Sequence, residues 1–200
     1  MSSVLLVTCN TETTTRSLRR SAADVIHALR QWDQGCLVRE RHLYRGAVPK
    51  FDPNMATALA ISPQARTEAQ WKTVALSELL LAEVRASDFL VIVAPLDQGA
   101  LPPEILAWSE HVGCAAKADA VGRKIHSWPN KIAIVVGEHP IESADWSADC
   151  VCRTLRTSLA QAGVADVALM EADRDGYPLR AAPIMLLVAK HESASHPVRS

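Results

Sequence analysis

Six apolar residues in a row, Phe89-Leu-Val-Ile-Val-Ala94, stand between Asp88 and Pro95. A strand with one wet face alternates apolar and polar residues. An unbroken run of this length, rich in β-branched types, is buried on both faces, as strands are inside a parallel sheet covered by helices on both sides. In such a sheet ligands bind beyond the carboxyl ends of the strands. The loop that leaves this strand, Leu96-Asp97-Gln98-Gly99-Ala100-Leu101-Pro102, is therefore expected at the active edge.

The rest of the chain supplies the remaining layers. Val4-Leu-Leu-Val7 is a first short strand, and Leu18, Ala22, Val25, Leu29 and Trp32 recur at steps of three and four, as on a helix face. Cys36 to Leu43 reads as an edge strand. Residues 44–63, broken by Pro49, Pro53 and Pro63, read as an irregular excursion over the top of the sheet. A long helix is expected from Thr67 to Ala86 with Trp71, Val74, Ala75, Leu79 and Ala82 inward. Pro102-Pro103 opens another helix through Leu106, Trp108 and Val112, followed by a second excursion from Gly113 to Asn130. Lys131 to Val136 is a buried strand. Trp146 to Ala162 is a helix with Val151, Leu155 and Leu159 inward, ended by Gly163; Val164 to Met170 is the last strand, and Leu179 to Lys190 a final helix. The alternation predicts an α/β fold, a five-stranded doubly wound parallel sheet with helices on both faces, most naturally in flavodoxin-like order. Residues 1–192 are expected to form one domain and 193–200 a disordered tail.

Bulk properties narrow the partners. The net charge of -1, with 48% hydrophobic and 22% charged residues among 200, gives no basic surface for nucleic acid or anionic membrane. No apolar run is long enough to cross a bilayer, and Met1-Ser-Ser-Val lacks a basic leader, so a cytoplasmic protein is expected. Five cysteines without framework spacing suit reduced thiols. Cys150 and Cys152 fall on different faces of a predicted helix, and no metal is expected.

Two further loops join the first at the active edge. Thr8-Cys9-Asn10-Thr11-Glu12-Thr13-Thr14-Thr15 precedes the first helix. Hydroxyls at a helix N-terminus commonly cap the helix, and the same hydroxyls with free backbone N–H groups can cradle a phosphate. Capping is the expected use from the residues alone, since Glu12 would repel an anion and no glycine fingerprint is present. Gly137-Glu138-His139-Pro140 leaves the fourth strand beside the Leu96 loop.

Arg66-Thr-Glu-Ala-Gln, with Leu76-Ser-Glu-Leu-Leu-Leu-Ala-Glu-Val-Arg-Ala-Ser-Asp-Phe-Leu-Val-Ile-Val-Ala-Pro95, resembles the long helix and central strand of the FMN-dependent NADH-azoreductases, quinone reductases of flavodoxin-like fold. Smaller matches are Arg41-His-Leu43, Val48-Pro-Lys-Phe-Asp52 and Leu159-Ala-Gln-Ala-Gly-Val-Ala-Asp-Val167, so the similarity runs from Val4 to about Pro178. The resemblance implies FMN as cofactor, NADH or NADPH as electron donor, a quinone or azo compound as acceptor, and a homodimer. It assigns Asn10, Thr13, Thr14 and Thr15 to the FMN phosphate, backbone of Leu96, Asp97, Gln98 and Gly99 to the flavin, and Gly137, Glu138, His139 and Pro140 to its rim. Hydride transfer requires no side-chain acid or base, so no catalytic residue is assigned.

The cofactor motifs depart from the family in kind. Its Pro-Met-Tyr-Asn-Phe is here Pro95-Leu-Asp-Gln-Gly99, and its Ser-Arg-Gly-Gly is Gly137-Glu-His-Pro140. Aromatic area is lost and two carboxylates are gained, which disfavours a reduced, anionic flavin. The alternative is thus a flavodoxin-like homologue that has lost FMN binding and serves a non-redox role. Val7-Thr-Cys9 with Arg16-Ser17 also resembles the first loop of low-molecular-weight tyrosine phosphatases, but six residues separate the cysteine and arginine where that chemistry needs five.

Overall fold

The computed structural model describes residues 1–9, 15–44, 48–96, 100–121, 131–138, 148–172 and 184–189. Five strands, β1 (Ser3–Cys9), β2 (Leu37–Leu43), β3 (Phe89–Pro95), β4 (Lys131–Glu138) and β5 (Val164–Glu171), form one parallel sheet in the order β2-β1-β3-β4-β5. This is the expected flavodoxin-like order. β3 sits at the centre because nothing on it needs water: Phe89 to Ala94 are all buried.

Successive residues of β3 feed two cores. Phe89, Val91 and Val93 join Val4, Ile132, Ile134 and Val136 against α1 (Arg16–Trp32), together with Ile184 and Val188 of a helical segment at 184–189. Leu90, Ile92 and Ala94 join Leu5, Val7, Ala133 and Val135 on the opposite face. There they meet α3 (Glu68–Arg85), α4 (Pro103–Val121) and α5 (Ala148–Leu159). On α1 the inward residues include Leu18, Ala22, Val25 and Leu29, as expected, and Trp32 stands edge-on to Phe89 with ring centres 5.7 Å apart.

Three expectations are corrected. The stretch 44–63 is not wholly irregular: Pro53–Ala60 is a helix, α2, and Pro63–Ala65 a 3-10 turn. Pro53 starts α2 where a missing N–H costs nothing, and the Asp52 carboxylate accepts from Asn54 N at 2.7 Å and Met55 N at 3.0 Å. The inward face of α3 is Val74, Ser77, Leu80, Leu81 and Val84. Of the five residues expected there only Val74 is buried; Trp71 is exposed and its ring lies under the Arg66 guanidinium, 4.9 Å from the ring centre. Finally, α4 continues to Val121, through the start of the expected second excursion. Gly113 lies inside it, where the Ser158 carbonyl leaves no room for a Cβ. Residues 122–130 and the predicted tail lie outside the described residues.

A buried polar clip holds the chain that follows β2. A carbonyl can only accept, so His111 Nε2–H donates to Pro49 O at 2.9 Å, and Nδ1 then accepts from the Ser77 hydroxyl at 2.7 Å. The His111 ring also meets Phe51 edge-on. At the opposite end of the sheet, the buried Lys131 ammonium donates to Arg85 O at 3.1 Å and to Ser87 O, the carbonyls closing α3, and burial holds its pKa below the ordinary value.

Candidate active site

The crossover β1-α1-β2 leaves the sheet toward one edge, whereas β3-α4-β4 leaves toward the other. The two directions diverge between β1 and β3, the switch point at whose carboxyl ends doubly wound folds bind ligands. Four of the residues assigned to the site are described, and all four lie at this edge.

Thr15 is the N-cap of α1; its hydroxyl oxygen accepts from Leu18 N at 3.1 Å. Capping is thus one use of this threonine, as residue type alone allowed. The same hydroxyl donates to Oε2 of Glu138, and Ser17 Oγ donates to Oε1 of Glu138 at 3.1 Å. The two hydroxyl oxygens are 2.7 Å apart. One carboxylate from the end of β4 is therefore held at the N-terminus of α1, by a pair of hydroxyls and beside the positive end of the helix dipole. Glu138 thus supplies the negative charge at this helix end.

The other side of this edge is fixed by backbone. β3 and β4 run in register with Pro95 opposite Glu138, and Leu96 N donates to Glu138 O at 2.7 Å. The Leu96 side chain is buried over Gly137, close enough that a Cβ on Gly137 would lie 2.6 Å from Leu96 Cδ1. Gly137 is a packing requirement, and Gly137 O accepts from Ala172 N at 2.7 Å. Asn10, Thr13, Thr14, Asp97, Gln98, Gly99, His139 and Pro140 lie outside the described residues.

Cys9 ends β1 beside the first turn of α4, its Sγ 3.8 Å from Glu104 Oε2. Burial, and then the Glu104 charge, push the thiol up to about 11. A nucleophilic cysteine needs its thiolate at neutral pH. The setting of Cys9 is the reverse, which removes the phosphatase reading on grounds independent of spacing.

A separate groove of about 730 Å³ runs between α1 and the β1–β2 side of the sheet, bordered by Leu6, Val38, Arg19 and Arg30. It contains neither Thr15, Leu96, Gly137 nor Glu138. Thr8 pairs with His42 Nδ1 at 2.7 Å, and His42 Nε2 lies 3.1 Å from Glu40, but His42 and Glu40 are 59% and 54% exposed. These three residues form a solvated cross-strand chain.

Ser17 was not among the candidates, although a hydroxyl in the first turn of a predicted helix was the signal for it. The Thr15–Glu138 contact spans 123 positions and carries no local pattern.

The sheet order defines a flavodoxin-like protein. A family model described as "Flavodoxin-like fold" matches residues 2–181, and the chain belongs to that family. An FMN-dependent NADH:quinone oxidoreductase of Sodalis glossinidius (strain morsitans) is 30% identical over 164 residues, covering 78% of this chain and 80% of its own. One of Bordetella bronchiseptica is 28% identical over 162 residues, covering 79% and 78%. Among solved structures, an azoreductase from Bacillus anthracis superposes with a TM-score of 0.65 at 16% identity, covering 98% of this chain and 97% of that one. An FMN-dependent NADH-azoreductase from the same species, in complex with FMN, gives 0.59 at 14%, covering 96% and 98%. At these identities the structures show a shared fold.

Proposed function

We propose that this protein is an FMN-dependent oxidoreductase that passes two electrons from NADH or NADPH to a quinone or an azo compound. The observation that carries the proposal is the carboxylate held at the start of α1. The Glu138 carboxylate there acts as a stand-in anion: Thr15, Ser17 and the helix N-terminus are donors without charge, the chemistry that suits a phosphate. The residues fit the phosphate of FMN on one condition, that Glu138 turns away, because a carboxylate and a phosphate cannot share the same hydroxyls.

In this reading Thr15 and Ser17, with Asn10, Thr13 and Thr14, hold the phosphate. Leu96, Asp97, Gln98 and Gly99 border the flavin on one side, and Gly137, Glu138, His139 and Pro140 on the other. Bound FMN supplies the ring that accepts hydride and returns two electrons, so the chain's task is to bind, orient and shield it. Buried Leu96, tight against Gly137, gives that wall a fixed position. The partners proposed are small molecules and a second copy of the chain, in the cytoplasm. Among the described residues no helix is long and apolar enough to cross a membrane.

The test is NADH oxidation by purified protein with added FMN and a benzoquinone. Turnover that requires all three supports the proposal. Its absence at saturating FMN, with NADPH failing as well, would reject it. The second reading, a family member that no longer binds FMN, is favoured by the same Glu138 contact and predicts no turnover with either donor.

A further inference from the structure

We propose that Glu138 is an internal competitor for the phosphate end of the cofactor, so that this residue sets how tightly a phosphate-bearing flavin is held. The inference rests on the cofactor reading above and adds to it a residue that discriminates FMN from riboflavin.

Three observations carry it. First, the Glu138 carboxylate takes both hydroxyls that would hold a phosphate, Oε2 from Thr15 and Oε1 from Ser17. Second, α1 has no acidic residue in its own first turn; α3, α4 and α5 carry Glu68, Glu104 and Asp149 there, and α2, which also has none, has the Asp52 carboxylate as its N-cap. The negative charge that complements the α1 dipole comes instead from Glu138, at the end of a different strand. Third, the backbone of Glu138 is fixed by the β3 register and by the Leu96 N bond, so the carboxylate reaches α1 from a set position at the sheet edge.

A phosphate entering this site therefore displaces a like charge that the helix already holds. The gain is the difference between two anions at one site, and any carboxylate remaining within a few ångströms repels the newcomer. Riboflavin has no phosphate and makes no such exchange.

The experiment is an equilibrium titration of wild-type, Glu138→Gln and Glu138→Ala proteins with FMN and with riboflavin, read by quenching of flavin fluorescence. Gln keeps the size and one acceptor oxygen and removes the charge; Ala also clears the space. The expected result is that both variants bind FMN about tenfold more tightly or better, while riboflavin affinity changes by less than about twofold. Unchanged or weaker FMN binding, or an equal gain for both flavins, would overturn the inference while leaving FMN as the cofactor. If no form binds flavin, the cofactor reading fails by itself. The inference is then decided by the thermal shift with inorganic phosphate: a larger shift in both variants than in wild type supports it, and equal or absent shifts overturn it.

Discussion

Gly137 and Leu96 show how one missing methyl group shapes the edge of the site. A Cβ on Gly137 would lie 2.6 Å from Leu96 Cδ1 and 3.1 Å from Leu169 Cδ1, both inside van der Waals contact. Leu96 is buried and cannot swing into solvent without exposing apolar area. Gly137→Ala is therefore expected to cost about 1–3 kcal/mol as an overpacked core site, read by chemical denaturation. A change below about 0.5 kcal/mol, the ordinary size of a surface substitution, would show that the wall yields freely. Sequence comparison alone marked Gly137 as a flavin rim residue; the structure adds the packing reason for glycine. Cys9 shows the opposite case, since its place at a strand end is readable from the sequence but its raised pKa comes first from burial and then from Glu104, 95 positions away.

Thr67 and Asp33 show side chains finishing helix ends, one with a local partner and one with a distant one. Thr67 caps α3 with a reciprocal box, accepting from Gln70 N while Thr67 N donates to the Gln70 side chain at 2.9 Å. Asp33 closes α1 by accepting from Ser2 N at 2.6 Å and Gly35 N at 2.9 Å, and the Ser2 N–H, its largest influence, holds the carboxyl below the usual value. A depressed carboxyl pKa stabilises the fold above the unfolded value, near 3.8, and that stability is lost as pH falls through the lower folded value. Asp33→Asn is expected to be less stable than wild type at neutral pH, the gap closing in acid as both side chains become neutral. A gap that persists unchanged across a pH series of thermal melts would contradict this.

The misread face of α3 has a physical cause at the same scale. Leu79, Leu80 and Leu81 are consecutive, so hydrophobicity alone does not fix which side is inward. The buried stripe runs through Ser77, a polar residue satisfied by donating its hydroxyl to His111 Nδ1 on another helix. Trp71 was expected in the core, but Arg66, anchored to Glu78 and to the Ile61 carbonyl at 3.0 Å, covers its ring at the surface instead. In α2, Asp52-Pro53 is a readable helix start, because a proline at the first helical position begins a helix rather than breaking it.

Across the whole molecule, the unbroken apolar run of β3 is enough to imply a parallel sheet with two covered faces, and the strand order is the one most natural for five alternating β and α elements. The edge at which a ligand binds follows from the order. Loop motifs were harder to read, because the site is closed by pairs far apart in the chain: Thr15 with Glu138, Leu96 with Gly137. Those pairs join α1, β3 and β4 at the carboxyl edge of the sheet, and they bring the Glu138 carboxylate to the start of α1.

The central claim is that this edge of the sheet holds FMN by its phosphate. The measurement that tests it most directly is a competition titration of wild-type protein: FMN added to saturation by fluorescence quenching, then displaced by inorganic phosphate. The account predicts one saturable FMN site per chain and a midpoint that moves to higher FMN concentration as phosphate is raised at constant ionic strength. No saturable site, or an FMN site indifferent to phosphate, would contradict it.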